Sequence, residues 1–210
     1  MAFAAATDGC RLHYQVVGRG DGTPVVMIQG LGADLNGWFF QRLALASHHR
    51  VLCLDNRGAG RSGKPEEPYS LVQMADDVAA VMDHVGWSDA HVVGASMGGA
   101  IAQILSVNHP DRLRSLSLVC TACRHEPWRR ELLAEWAEVA AQRGMREMSQ
   151  LAMRWLIGPR SLRRFWPALG LFGPLAMSLP AYAFVNQINA ILDTPDDLAC
   201  LLYTSDAADE

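Results

Sequence analysis

The sequence predicts an α/β fold with a mostly parallel, doubly wound sheet, and three observations carry that expectation. Short β-branched runs alternate with helical patterns through the first two-thirds of the chain. The apolar run His91-Val92-Val93 enters a helical pattern directly through the tight turn Gly94-Ala95-Ser96-Met97-Gly98. After Cys123 the strand pattern stops, and helical stretches broken by glycine and proline take over.

The elements follow in order. Residues 10–17 alternate as a half-buried strand and run into the glycine-rich turn 18–22; residues 25–29 form a fully buried strand. Residues 38–47 fit a helix and 50–54 the next buried strand. From 70 to 85, Leu71, Met74, Val78, Val81, Met82 and Val85 fall on one helical face. A strand at 90–94, a helix at 96–109 stopped by Pro110, and a strand at 113–119 complete two βα units. Helices are then expected at 127–144, 145–157, 161–170 and 181–192. No internal repeat or low-complexity tract interrupts this plan.

Composition narrows the function classes. A chain of 210 residues with 50% apolar content can bury a core, and its net charge of -4 is interspersed along the sequence. Neither nucleic acid nor an anionic membrane is therefore an expected partner. The N-terminus lacks the basic region and long apolar run of a secretory signal, so a cytoplasmic location is expected. Five scattered cysteines suggest no disulfide scaffold. Cys120-Thr121-Ala122-Cys123 spells CxxC but has no second ligand pair, so no metal and no cofactor are expected. Residues 165–192 carry no charge, yet Pro167, Pro174 and Pro180 break them into short helices and turns rather than a membrane span.

The turn around Ser96 carries the chemistry. Its GxSxG pattern sits directly between a buried strand and a helix, where a strained turn presents the serine hydroxyl at the carboxyl end of the sheet. Small neighbours at Gly94, Gly98 and Gly99 allow so tight a bend. The free N–H groups of the helix N-terminus can then stabilise negative charge on a substrate oxygen. A helix-capping serine in a glycine-rich turn is the structural alternative. Residues 58–64 satisfy GxxxxGK, but Pro65 replaces the Ser or Thr of a phosphate-binding loop and acidic residues follow. The segment from Asp55 reads better as a structural turn held by Asp55 and Arg57.

With Gln29-Gly30-Leu31-Gly32 after the earlier buried strand, and Asp55-Asn56-Arg57-Gly58-Ala59-Gly60-Arg61-Ser62 after the next, the chain resembles the α/β-hydrolase family. The resemblance runs over about residues 8–199. It implies a core at 1–122 and a helical cap at 123–199, with 200–210 a disordered or foreign tail. It also implies an oxyanion hole from the Leu31 and Met97 backbone N–H groups, shaped by Gly30, with Ser96 as nucleophile. Gln29 stands where that family usually has histidine. Trp128, Trp136, Trp155 and Trp166, with Met145, Met148, Met153 and Met177, would give the cap an apolar underside.

In that family the triad acid and histidine follow the cap, on two further βα units of about 60 residues or more. The last strands are thus expected to be missing here. None of the histidines at 13, 48, 49, 84, 91, 109 and 125 is well placed as the base; only His125 lies near the rim. The expected activity is that of a serine hydrolase on an ester, lactone or related small apolar carbonyl substrate through an acyl-enzyme, weak or absent in this chain. A non-catalytic ligand-binding or interaction module on the same fold is the alternative. Oligomeric state is not legible.

Overall fold

The computed structural model describes residues 2–122, 126–156, 158, 160, 164 and 179–195. The expected helix at 161–170, His125, Cys123, Trp166, Met177 and the tail 200–210 lie outside the described residues.

Six strands form one mixed sheet: β1 (Ala2–Ala5), β2 (Arg11–Gly18), β3 (Thr23–Ile28), β4 (His49–Leu54), β5 (Ala90–Ala95) and β6 (Leu113–Val119), in the order β1-β2-β4-β3-β5-β6. β4, β3, β5 and β6 are parallel, while β1 and β2 join antiparallel at one side. The sheet is the α/β arrangement expected from sequence. β1 was not expected, because its alanine-rich segment has neither β-branched residues nor alternation. Tertiary pairing supplies what propensity lacks: Phe3 lies opposite His13 with ring centroids 5.3 Å apart, and the Arg11 guanidinium sits 4.3 Å above the Phe3 ring.

β3 and β4 are buried on both faces, which is why they read as continuous apolar runs. Val26, Ile28, Leu52, Leu54 and Val92 face the larger core, with helices α2 (Leu71–His84) and α3 (Met97–Asn108). Val25, Met27, Val51 and Cys53 point the other way, onto Leu35 and Trp38. α2 buries Leu71, Met74, Val78, Val81 and Met82 and is capped by Ser70, whose side chain accepts from Gln73 N at 3.0 Å. The helix expected at 38–47 is shorter: a 3-10 turn, Leu35–Trp38, capped by Asp34 precedes α1 (Phe39–Leu45). Burial of Trp38 ends the turn and sets where α1 starts.

Three further helices, α4 (Pro127–Arg143), α5 (Met145–Leu156) and α6 (Ala181–Leu192), match expected elements to within a residue or so. Among the described residues no helix is long and apolar enough to cross a membrane. β6 lies at the sheet edge, where Leu118 and Val119 are 43% and 42% exposed.

The chain passes from β3 to β4 on one side and then crosses to β5 on the other side of β3. Connections leaving β3 and β5 therefore diverge, opening a crevice at their carboxyl ends where open α/β sheets take ligands. Beside it the turn 55–64 is rigidly held. Asp55 accepts from Leu35 N at 2.8 Å, Arg61 N at 2.8 Å and the His13 ring at 2.8 Å. Lys64 Nζ donates to Gly60 O at 2.7 Å and Ser62 O at 3.0 Å, closing the turn on itself rather than offering a phosphate site.

Arg57, 2% exposed, donates twice to Asp77 at 2.7 Å and once to Asp8 at 2.9 Å. Burial works against its charge, but the hydrogen bonds it donates to Asp77 and Asp8 outweigh it and raise its pKa, so the guanidinium stays charged. Asp77→Ala would strand that charge in the core, and a loss of about 3–5 kcal/mol is expected by thermal or denaturant unfolding. Asp8→Ala, at the exposed end of the network, should cost about 1 kcal/mol or less.

Candidate active site

Ser96 occupies the bend between β5 and α3 with φ 53 and ψ -120, a left-handed conformation rarely tolerated outside glycine. The position suits a cap, yet its side chain makes no capping hydrogen bond and the residue is exposed. The backbone around it is fixed instead. Ser96 N donates to Val119 O at 3.0 Å, and its carbonyl receives Gly99 N at 2.9 Å and Thr121 Oγ1 at 2.8 Å. Neighbours thus hold the strained bend while leaving the hydroxyl free to face the crevice.

The expected glycines explain the closeness of the packing. A Cβ at Gly98 would overlap the backbone carbonyl of Ile28, and one at Gly94 would overlap that of Gly98. At Gly30 it would lie 3.1 Å from Ser96 Cβ and 3.7 Å from Ser96 Oγ, so the loop after β3 runs directly against the serine. Leu31 is partly buried and Met97 buried; both line one cavity of about 440 Å³ with Ser96. Its far wall comes from α4, α5 and α6, through Trp128, Leu132, Trp136, Trp155 and Ile191. Met148, by contrast, is fully buried in the core.

Four consecutive amides follow Gln29. Gly30 N donates to Gln29 Oε1 at 2.9 Å, Gly32 N to Gln187 Oε1 at 2.9 Å and Ala33 N to Gly30 O at 3.3 Å. Among the described residues the Leu31 amide has no protein acceptor. Gln29 therefore braces the loop from within, and Asn56 Nδ2 adds a bond to Gln29 O at 2.8 Å. Asn56, Thr121 and Gln187 were missed by sequence reasoning, because their partners are backbone groups far away in the chain.

Among the described residues no histidine lines the cavity at Ser96. His13 pairs with Asp55, His48 with Ser47, His91 with Ser115 and His109 with Asp76. The buried His13–Asp55 pair has the form of a catalytic dyad, but its register places it opposite β5 across β4 and β3. Three inter-strand spacings, about 14 Å, separate it from the elbow. Cys53 is buried and its thiol is pushed up to about 12 by that burial, so it is no thiolate nucleophile. No group of three or more His, Cys, Asp or Glu among the described residues is placed to hold a metal.

Residues 23–146 match the family model of the alpha/beta hydrolase fold. The chain belongs to this family. It is 30% identical to the enol-lactonase from Burkholderia xenovorans LB400, whose crystal structure it matches with a TM-score of 0.83 over 92% of its own length and 74% of that chain. It is also 42% identical over 108 residues to RutD of Azorhizobium caulinodans, named a carbamate hydrolase, and 30% identical over 148 residues to 3-oxoadipate enol-lactonase 2 of Acinetobacter baylyi. The matches cover 51% and 69% of this chain, and the chain spans 40% and 54% of those two relatives. The bend at Ser96 lies within the matched residues and joins a strand directly to a helix.

Gly98→Ala should force α3 away from β3 and lower stability by about 1–3 kcal/mol. Gly20→Ala, where an added Cβ meets nothing within 4 Å, should leave stability within about 0.5 kcal/mol. Thermal denaturation of both variants checks the contrast.

Proposed function

We propose that this chain carries the nucleophile half of a serine hydrolase that opens ester or lactone carbonyls through an acyl-enzyme on Ser96. The observation that carries this reading is the exposed, non-capping Ser96 hydroxyl, held at φ 53 on the floor of an apolar cavity. In the proposed mechanism Ser96 Oγ attacks the substrate carbonyl carbon. The oxygen that gains charge is received by the Leu31 and Met97 amides, the first without a protein acceptor among the described residues and the second at the positive end of α3. The tetrahedral intermediate collapses, expels the alcohol and leaves the acyl group on Ser96; water then attacks the acyl carbon and frees the acid.

Attack requires a base to take the hydroxyl proton. Since no described histidine lines the cavity at Ser96, this reading assigns the base and its carboxylate to the part of the family length outside the 74% matched in the enol-lactonase. The helical segment beyond residue 123 acts as a cap whose tryptophans enclose a small apolar acyl or ring moiety. The names of the relatives, an enol-lactonase and a carbamate hydrolase, support a small carbonyl substrate with an oxygen or nitrogen leaving group.

The test uses the full-length protein that contains this chain. Fluorophosphonate labelling and hydrolysis of a short-chain aryl ester should both disappear in Ser96→Ala and persist in Lys64→Ala. The 210-residue chain alone should hydrolyse the same ester orders of magnitude more slowly. Undiminished turnover by Ser96→Ala on every ester and lactone tried would remove the nucleophile assignment. Retained ligand binding without labelling in the full-length wild type would favour the non-catalytic alternative.

A further inference from the structure

Gln187 is fully buried on α6, and its amide touches two loops of the sheet. Its Oε1 accepts from Gly32 N at 2.9 Å, and its Nε2 donates to Arg57 O at 2.8 Å. These partners lie 155 and 130 residues away in sequence. One is an N–H and the other a carbonyl, so only the amide orientation with oxygen toward Gly32 satisfies both. A Cβ at Gly58 would come within 3.2 Å of Nε2, so the turn after β4 is moulded to this side chain.

Gly32 N belongs to the Leu31–Gly32 peptide, and Gly32 itself is left-handed at φ +70. Gly30 N, on the other side, is held by Gln29. The peptide that bears the Leu31 N–H has its carbonyl, Gly30 O, held at 3.3 Å by Ala33 N and lies between two peptides pinned by shorter bonds. One pin comes from the loop itself and the other from the helical segment. We propose that Gln187 is a positioning residue, which sets the direction of the Leu31 amide through its bond to Gly32 N. This inference rests on the assignment of Leu31 as an oxyanion donor. A donor whose direction is fixed before reaction costs no reorganisation as charge develops, so loosening the pin should slow the chemical step and spare ground-state binding.

Two neighbours on α6 provide the control. Tyr182 Oη donates to Lys64 O at 3.0 Å, and Asn186 Nδ2 donates to Glu66 O at 3.1 Å and Glu67 O at 3.0 Å. Both seat α6 on the segment after the turn without touching Gly32. Asn186→Ala therefore weakens docking of the helix and leaves the pin intact.

The experiment measures kcat and KM for aryl-ester hydrolysis in the full-length protein, with inhibition by an aryl trifluoromethyl ketone, whose adduct with a serine places an oxyanion in the hole. Gln187→Met keeps the side-chain length and removes both bonds. It should lower kcat about 10- to 100-fold, change KM by less than about threefold, and weaken the ketone by the same factor as kcat. Asn186→Ala should lower Tm to a similar extent with kcat unchanged. If Gln187→Met is insoluble, Gln187→Asn takes its place: the same amide, one methylene shorter, cannot span both loops, and the same kcat loss is expected. The inference is overturned if the soluble Gln187 variant keeps wild-type kcat and ketone affinity, or if Asn186→Ala loses as much kcat as it does. Ser96→Ala is run alongside. Its retention of activity would sink the nucleophile reading itself, whereas an inactive Ser96→Ala beside a wild-type Gln187→Met sinks the positioning role alone.

Discussion

Everything at the crevice depends on how closely the N-terminus of α3 approaches the carboxyl end of β3. Backbone meets backbone there, with no space for a side chain at Gly98 or Gly94. The approach forces the preceding residue into the left-handed region, and that residue is Ser96. Strain of about 1–3 kcal/mol at such a position persists only where the surroundings over-determine it. Here they do, because Val119 O, Thr121 Oγ1 and the first turn of α3 together fix both sides of the serine's backbone. The same geometry that is costly for folding leaves the hydroxyl exposed and the helix N-terminus open beside it.

The sheet order makes that approach possible. With β3 flanked by β4 on one side and β5 on the other, the loops after β3 and β5 leave in different directions, and the α4–α6 segment can cover the gap between them. The antiparallel pair β1–β2 contributes from a distance. It delivers His13 to Asp55 and Asp8 to Arg57, which make the turn after β4 rigid. A rigid turn gives Asn56 a firm base from which to hold Gln29 O, and gives Gln187 a fixed carbonyl at Arg57. The polar network buried beside the crevice thus acts as scaffold for the apolar cavity next to it.

Two features resemble functional sites and are structural. The His13–Asp55 pair has the geometry of a dyad, yet it lies three strand spacings from the serine and serves to tie β2 to the turn. The GxxxxGK sequence ends in a lysine whose ammonium group caps the carbonyls of its own turn. In both cases the partners, rather than the residue types, decide the role.

Much of this was legible in the sequence. Short continuous apolar runs located the buried parallel strands and a 3.6-residue period the long helices, since burial on both faces or on one stripe leaves its mark in the chain. The elbow at Ser96 and the loop at Gly30 were equally readable, because a bend that admits only small residues writes glycine at fixed offsets. What the sequence could not show were contacts with no local signature. β1 exists because β2 offers it an edge, although its own residues have little strand preference. Asn56, Thr121 and Gln187 hold the crevice through bonds to distant backbone groups, and a hydrogen bond across 155 residues leaves no periodicity to read. The sequence by itself determined the elements and the serine, which are local matters of pattern and sterics. Only the tertiary structure decided which amide is left, among the described residues, without a protein acceptor and what holds its neighbours, because that depends on which side chains long-range packing brings within reach.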